Sequence, residues 1–374
     1  MQAWVLIFTI GAVQAALLAL VLWRRPVNAR ANRVLAVWLA LVAIDLAVKA
    51  IYMGAPSPAW FKPYRFVAIF PFLYASLFYI YVRTLTTGHG FSLRDLLHLG
   101  GFFFGLLVTG RVFLLGVNTT TTLFLRYQHG DMPPPLPWFD LTLFVYAFTY
   151  IAAALLRITR HHRLLRQQRS DADRQSMRWL TVLAIGQLII WMIAAVHATV
   201  KLPFIHYNLI YGAVATWILV VSYFSLAQPP VVALPQDDEA SGSNASVQND
   251  DSRFPDVEAR LSRLMTNEAM YREPALTIGQ LARRSGYPEY LVSAVINRRF
   301  GGSFWDYVNH HRIEASCECL ADPGDTRTIL DIAYACGFTS KSTFNAAFKR
   351  LLNETPSVYR QRHAQAGHES PANE

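Results

Sequence analysis

Hydrophobic and polar positions follow two different rules along the 374 residues, and the rule changes near residue 227. Before that point the apolar residues form seven long runs, at about 3–23, 34–53, 66–82, 96–116, 139–157, 179–199 and 208–226. Each is long enough for a helix to cross a bilayer, which takes roughly 17 to 25 residues. No basic segment precedes the first run, and Arg24 and Arg25 follow it, so it is expected to be a retained span rather than a cleaved signal. Pro71 is expected to kink its run, and Gly101 with Gly105 to admit a neighbouring helix closely. The connection 117–138 is expected to be the longest outer loop, stiffened by Pro133, Pro134 and Pro135 and able to meet a signal molecule.

Beyond the change the runs disappear. Residues 227–252, AQPPVVALPQDDEASGSNASVQNDDS, have no apolar period and five acids, which reads as a flexible acidic linker. Short amphipathic stripes follow. In 326–360 the residues Ile329, Ile332, Ala333 and Cys336 predict one short helix, Gly337 a turn with positive φ, and Thr339 or Ser340 the cap of a second helix. The second helix buries Phe344, Ala347, Phe348 and Leu351 at helical spacing, which leaves Lys341, Ser342, Asn345, Lys349 and Arg350 on a polar, basic outer face.

A second copy of the plan lies upstream. Leu281, Ala282 and Gly286 recur 51 residues later as Ile332, Ala333 and Gly337, while Val292, Val295 and Ile296 recur 52 residues later as Phe344, Ala347 and Phe348. The downstream turn therefore holds one extra residue. Between the copies, SFWDYVNHHRIEASCECL predicts a longer linking helix with Phe304, Tyr307 and Val308 inward, and Val257, Leu261 and Leu264 predict an opening helix that packs on the first copy.

With LARRSGYPEYLVSAVIN, WDYVNHHRIEAS, DIAYACGFTSKSTFNAAFKR and TPSVYR in this order and spacing, residues 256–362 resemble the DNA-binding domain of AraC/XylS-type transcriptional regulators. The resemblance implies two helix-turn-helix units joined by one helix, with the second helix of each unit entering a major groove. It implies base contacts from Tyr290 and Ser293 in the first unit and from Lys341, Ser342, Thr343 and Asn345 in the second, and phosphate contacts from Arg298, Arg299, Lys349 and Arg350. An outer-face position that is often Arg in the family is Ala294 here and Ala346 in the second copy, and Pro288 stands where a Ser cap is common. Two guanine-reading forks are thereby absent, which implies weak intrinsic specificity raised by dimerisation or repeated sites.

Charge separates the same two regions. The composition is 53% hydrophobic with a net charge of +9, too apolar for an ordinary soluble chain. Of 34 Lys and Arg, 19 precede residue 227 beside 6 of the 25 acids, so the remainder holds 15 against 19 and the overall basicity is no argument for nucleic acid. The first, third and fifth connections carry 13 basic residues and the second, fourth and sixth carry 5, which predicts an outer amino terminus and a cytoplasmic carboxy-terminal domain. The basic connection TRHHRLLRQQRSDADRQSMRW is expected to face the membrane surface, or else to touch the DNA-binding domain or DNA.

Within the runs, Asp45 and Lys49 lie four apart on one helix face and are candidates for ligand sensing or an internal ion pair. Cys317, Cys319 and Cys336 complete no zinc spacing and are expected to be thiols, and no metal or other cofactor is implied. No phosphate-binding glycine loop, nucleophile elbow or kinase signature is present, which excludes the common enzyme classes those motifs mark.

The fold class expected is all-α. A seven-span sensor occupies 1–226, a linker 227–252, the double helix-turn-helix domain 253–364 and a disordered tail 365–374. The partners expected are double-stranded DNA, the lipid bilayer of the inner membrane, a small-molecule or envelope signal, and a second copy of the chain. The alternative is a transporter or receptor with a regulatory tail.

Overall fold

A computed structural model of the protein describes residues 2–131, 137–172, 177–200, 207–231 and 251–368. Among them every regular element is helical. Packing divides the chain into two compact units, Met1–Thr159 with Met177–Pro235, and Arg160–Ser176 with Gln236–Glu374.

The first unit contains α1 (Gln2–Arg24), α2 (Ala29–Gly54), α3 (Pro58–Val67), α4 (Pro71–Thr87), α5 (Gly100–Thr109), α6 (Val117–His129), the start of α7 (Pro137–Gln168), α8 (Arg178–Val200) and α9 (Tyr207–Ala227). Among the described residues, seven segments are long and apolar enough to cross a membrane: Gln2–Arg24, Ala29–Gly54, Pro58–Thr87, Leu93–Leu114, Trp138–Gln168, Arg178–Val200 and Tyr207–Ala227. They coincide with the seven runs read from the sequence. Small residues set how closely the helices approach. A Cβ on Gly11 of α1 would stand 2.7 Å from the Ala215 Cβ of α9, and one on Gly101 would meet Tyr146 and Phe72 within 2.9 Å.

The segment Pro58–Thr87 is interrupted where Pro71 was expected to bend it: α3 ends at Val67 and Pro71 opens α4, a position where its missing N–H costs nothing. One expectation for this region is corrected. Residues 117–129 are not loop. They form α6, in which Thr120, Thr121 and Thr122 return their hydroxyls to carbonyls four residues back, and Phe124 is buried with Tyr52 and Phe61. Pro133 to Pro135 lie outside the described residues.

The start of the expected linker is also ordered. The Gln228 amide donates to Asn32 at 2.6 Å and its carbonyl accepts from the Tyr81 hydroxyl at 3.3 Å. The Val231 N–H donates to Asn28 Oδ1 at 3.0 Å. Residues 232–250 lie outside the described residues.

The second unit contains α10 (Phe254–Thr266), α11 (Ile278–Ser285), α12 (Glu289–Arg299), α13 (Phe304–Ala321), α14 (Ile329–Ala335), α15 (Lys341–Leu352) and α16 (Pro356–His368), together with the last turns of α7. Val257, Leu261 and Leu264 of α10 share one core with Leu281, Val292, Val295, Ile296, Phe304 and Val308. A second core is built on aromatic rings: Phe338 to Phe344 at 5.1 Å, Phe344 to Phe348 at 5.5 Å and Phe348 to Tyr359 at 5.5 Å. Burying one such ring contributes about 1.5–3 kcal/mol, so the three Phe side chains carry much of this small core.

Leu351 departs from the stripe read for its helix; it is 42% exposed at the last turn, where the helix runs past the core. Residues 365–368, assigned to the tail, continue α16.

Candidate nucleic-acid interface

Both helix-turn-helix units are assembled by local hydrogen bonds that the sequence dictates. Thr277 caps α11 by accepting the Gln280 N–H, while the Gln280 side chain accepts the Thr277 N–H at 2.8 Å. Thr328 and Asp331 repeat the arrangement on α14. Each first helix then ends in a glycine of positive φ, +80° at Gly286 and +89° at Gly337. Ser340 caps α15 by accepting the Thr343 N–H at 3.2 Å, and Pro288 begins α12 with no side-chain cap.

The outer face of α15 presents Lys341, Ser342, Asn345, Lys349 and Arg350, all exposed, while Phe344, Ala347 and Phe348 face inward. Thr343 is placed inward as well. It is 2% exposed and its hydroxyl lies 2.9 Å from that of Ser340, so it sits on the core side of the helix boundary and cannot reach a base edge. On α12, Tyr290 is 38% exposed, and half-buried Ser293 accepts from Asn297 at 3.4 Å.

The three arginines assigned to phosphates are engaged within the unit. Arg298 stacks over Phe254 at 5.6 Å, Arg299 pairs with Glu258 at 3.8 Å, and Arg350 pairs with Asp306 at 2.8 Å while lying over Trp305 at 5.3 Å. Arg299 and Arg350 are half exposed, so each can turn from its carboxylate to a phosphate at small cost.

Beneath the two faces lies a residue that the reading of the sequence passed over. Arg312 on the linking helix α13 is 1% exposed, the largest fully buried side chain among the described residues. Its Nε donates to the Tyr271 carbonyl at 2.8 Å, Nη2 to the Glu273 carbonyl at 2.8 Å, and Nη1 to Asn309 Oδ1 at 3.3 Å. The guanidinium lies 5.6 Å from the Phe338 ring of the second unit's turn. Burial pulls its pKa down to about 10, with the Asp171 carboxylate opposing the shift. A signal was present in the sequence: Arg312 follows Val308 at helical spacing on the inward stripe, where a charge has to be paired.

The thiols are all free. Burial pushes Cys336 up to about 11, and Cys317 is also raised, so both are protonated near neutrality. Among the described residues no group of three metal-ligating side chains comes together.

In the compact unit of α1 to α9, the buried side chains of Asp45 and Lys49 pair with each other. The Tyr74 hydroxyl donates to Asp45 at 2.8 Å, and the Lys49 ammonium lies over the Tyr211 ring at 3.9 Å. The pair thus fastens α2 to α4 and α9.

Two helix-turn-helix units on one linking helix define a bipartite DNA-reading fold. The chain belongs to the AraC family of transcriptional regulators, DNA-binding proteins rather than enzymes. The family model of a helix-turn-helix domain matches residues 281–362. Regulatory protein SoxS of Escherichia coli K12 is 31% identical over 87 residues, which is 23% of this chain and 79% of SoxS. The probable transcription factor PqrA of Proteus vulgaris is 29% identical over 92 residues, 25% of this chain and 74% of PqrA. The right origin-binding protein of Escherichia coli K12 is 31% identical over 85 residues, 23% of this chain and 29% of that protein. No solved structure shows a significant match to the chain.

Proposed function

We propose that the chain is a membrane-embedded one-component transcription regulator. Its seven apolar helices cross the inner membrane with the amino terminus outside, and the double helix-turn-helix domain reads promoter DNA in the cytoplasm. The observation that carries this reading is the joining, in one chain, of seven membrane-length helices to two complete helix-turn-helix units.

Lys341, Ser342 and Asn345 of α15 and Tyr290 and Ser293 of α12 face base edges in successive major-groove segments, roughly 34 Å apart. Lys349, Arg350, Arg298 and Arg299 hold phosphates. With Ala294 and Ala346 in place of guanine-reading side chains, specificity is raised by a second copy bound beside the first.

A small-molecule or envelope signal acts on the seven-helix region and shifts the population of helix packings. Asp45 and Lys49 are buried and engaged with each other, Tyr74 and Tyr211, so they serve this step as a clamp that holds one packing rather than as a ligand's first contact. The test is binding of the full-length protein, in a bilayer mimic, to genomic fragments over a salt series, followed by footprinting. Enrichment of particular fragments with two protected segments one turn apart is the expected result. Equal retention of all duplex at every salt would overturn it.

A further inference from the structure

The segment Arg160–Ser176 belongs by packing to the second unit, although in sequence it joins two apolar helices of the first. Its contacts are specific. The Ser170 N–H donates to the Leu276 carbonyl at 3.0 Å, and Arg169 forms an antiparallel bridge with Thr277, the residue that caps the first helix-turn-helix. The Ser170 carbonyl accepts from Asn309 at 3.4 Å, and its hydroxyl accepts from Arg312 Nη2 at 3.2 Å. Ser170 and Ala172 have no exposed surface, and Asp171, paired with Arg169 at 2.8 Å, is 5% exposed. Arg166 lies over Trp305 at 4.7 Å, the ring that also carries Arg350 of the second recognition helix.

Arg312 makes this more than a local attachment. The same guanidinium that holds Ser170 holds the backbone of Tyr271 and Glu273, just before the first helix-turn-helix, and lies against Phe338 in the turn of the second. The second turn rests on the same backbone: a Cβ on Gly337 would come 2.6 Å from the Tyr271 carbonyl. One buried charge thus joins the strap, the entrance to the first unit and the turn of the second.

We propose that residues 166–172 are the transmission strap of this regulator. The strap, rather than the acidic stretch 232–250, passes movement at the inner ends of α7 and α8 to the DNA-reading unit. It does so by setting the position of one recognition helix relative to the other. Docked, it fixes both helices at the separation a duplex requires; withdrawn, it leaves the Leu276 carbonyl, Asn309 and Arg312 short of partners and frees the two helix-turn-helix units to reorient. The inference rests on the regulator reading given above.

The experiment uses the full-length protein in a bilayer mimic. Arg169→Cys with Thr277→Cys places thiols at bridge partners, whose Cα spacing of about 4.5–5.5 Å suits a disulfide. Mild oxidation is expected to form that crosslink, identified by mass spectrometry among the native cysteines. Ser170→Pro removes the donor to Leu276 and undocks the strap. It is expected to raise hydrogen exchange at α11 and at α14 together, and to change affinity for the fragments retained by the wild type by at least about fivefold, the lower end of ordinary coupling between sites.

Absence of the crosslink, or faster exchange at α11 with none at α14, would overturn the proposal. So would unchanged affinity in Ser170→Pro. Ser170→Ala, which keeps the backbone bond, is expected to show smaller changes of the same sign, and wild-type exchange and affinity in Ser170→Ala and Ser170→Pro alike would reduce the strap to a tether. Because crosslinking and exchange need no DNA, a protein that passes both yet shows no preference for any fragment would refute the regulator reading while leaving the mechanical coupling standing.

Discussion

The two helix-turn-helix units solve one folding problem with different local chemistry. Both begin with a capping box and turn on a glycine of positive φ. Around Gly286 a Cβ would meet nothing within 4 Å, whereas at Gly337 it would meet the Tyr271 and Arg272 carbonyl oxygens at 2.6 and 2.7 Å. The first unit is fixed at its entrance, where Thr277 bridges Arg169; the second is fixed at its turn, which is pressed onto the backbone leading into the first. Repetition in sequence thus conceals a hierarchy: the second unit takes its position from the first, and Arg312 from α13 closes the joint.

The sharpest way to break this comparison is at the two glycines. Gly337→Ala is expected to destabilise the second unit by about 3 kcal/mol or more, adding left-handed strain of ~1–2 kcal/mol to a backbone collision. Gly286→Ala bears the strain alone and is expected to cost about 1 kcal/mol. Urea unfolding followed by hydrogen exchange in α11 and α14 separates them, and equal losses would remove the asymmetry.

Next in size are the outer faces. Asn345→Ala on α15 is expected to cost about 1–3 kcal/mol in binding to its preferred fragments and to relax preference at one base pair. Lys349→Ala is expected to weaken binding to all sequences alike and to reduce the salt slope by about one. Competition titrations over a salt series check both. A sequence-specific loss at Lys349 would exchange the two roles.

The caps come third. Thr277→Ala and Thr328→Ala are each expected to cost about 1 kcal/mol in thermal unfolding. The bridge to Arg169 uses the backbone, so a much larger loss at Thr277 would show that the strap depends on its side chain.

The smallest effect concerns pH. Hydrogen bonds from the Arg327 side chain and backbone hold the Asp325 carboxyl down to about 2. The folded form therefore binds its proton less readily than the unfolded chain does. Its contribution is complete above the ordinary value of 3.8 and is lost as pH falls from there toward 2. Asp325→Asn is expected to flatten the acid limb of the stability curve in that window, and an unchanged limb would assign the acid sensitivity elsewhere.

Much of this architecture was legible in the sequence because it is written in local periodicity. The seven apolar runs, the repeat at 51 and 52 residues and the Ser340 cap all follow from residues near one another. Leu351 is exposed because it lies at the end of its amphipathic stripe, where the helix runs past the core; Thr343 was implied by the family resemblance alone, and the stripe's polar outer face does not include it. The helix at 117–129 escaped because a run of four threonines has weak helix preference and is held by Phe124 packing on distant rings.

The strap escaped for a different reason. Its partners Leu276, Asn309 and Arg312 lie more than a hundred residues away, and two of its three hydrogen bonds to them use backbone atoms that leave no trace in composition. The arginines assigned to phosphates illustrate the converse. Exposed basic residues at the right spacing were visible, but their carboxylate and ring partners were not.

The most direct measurement is footprinting of the full-length protein, held in a bilayer mimic, on genomic fragments it retains at physiological salt. The result expected is a pair of protected major-groove segments about one helical turn apart on one face of the duplex, lost in Lys341→Ala with Asn345→Ala while the fold is kept. A footprint of a single segment, or protection unchanged in that double variant, would contradict a two-unit reader built on α12 and α15.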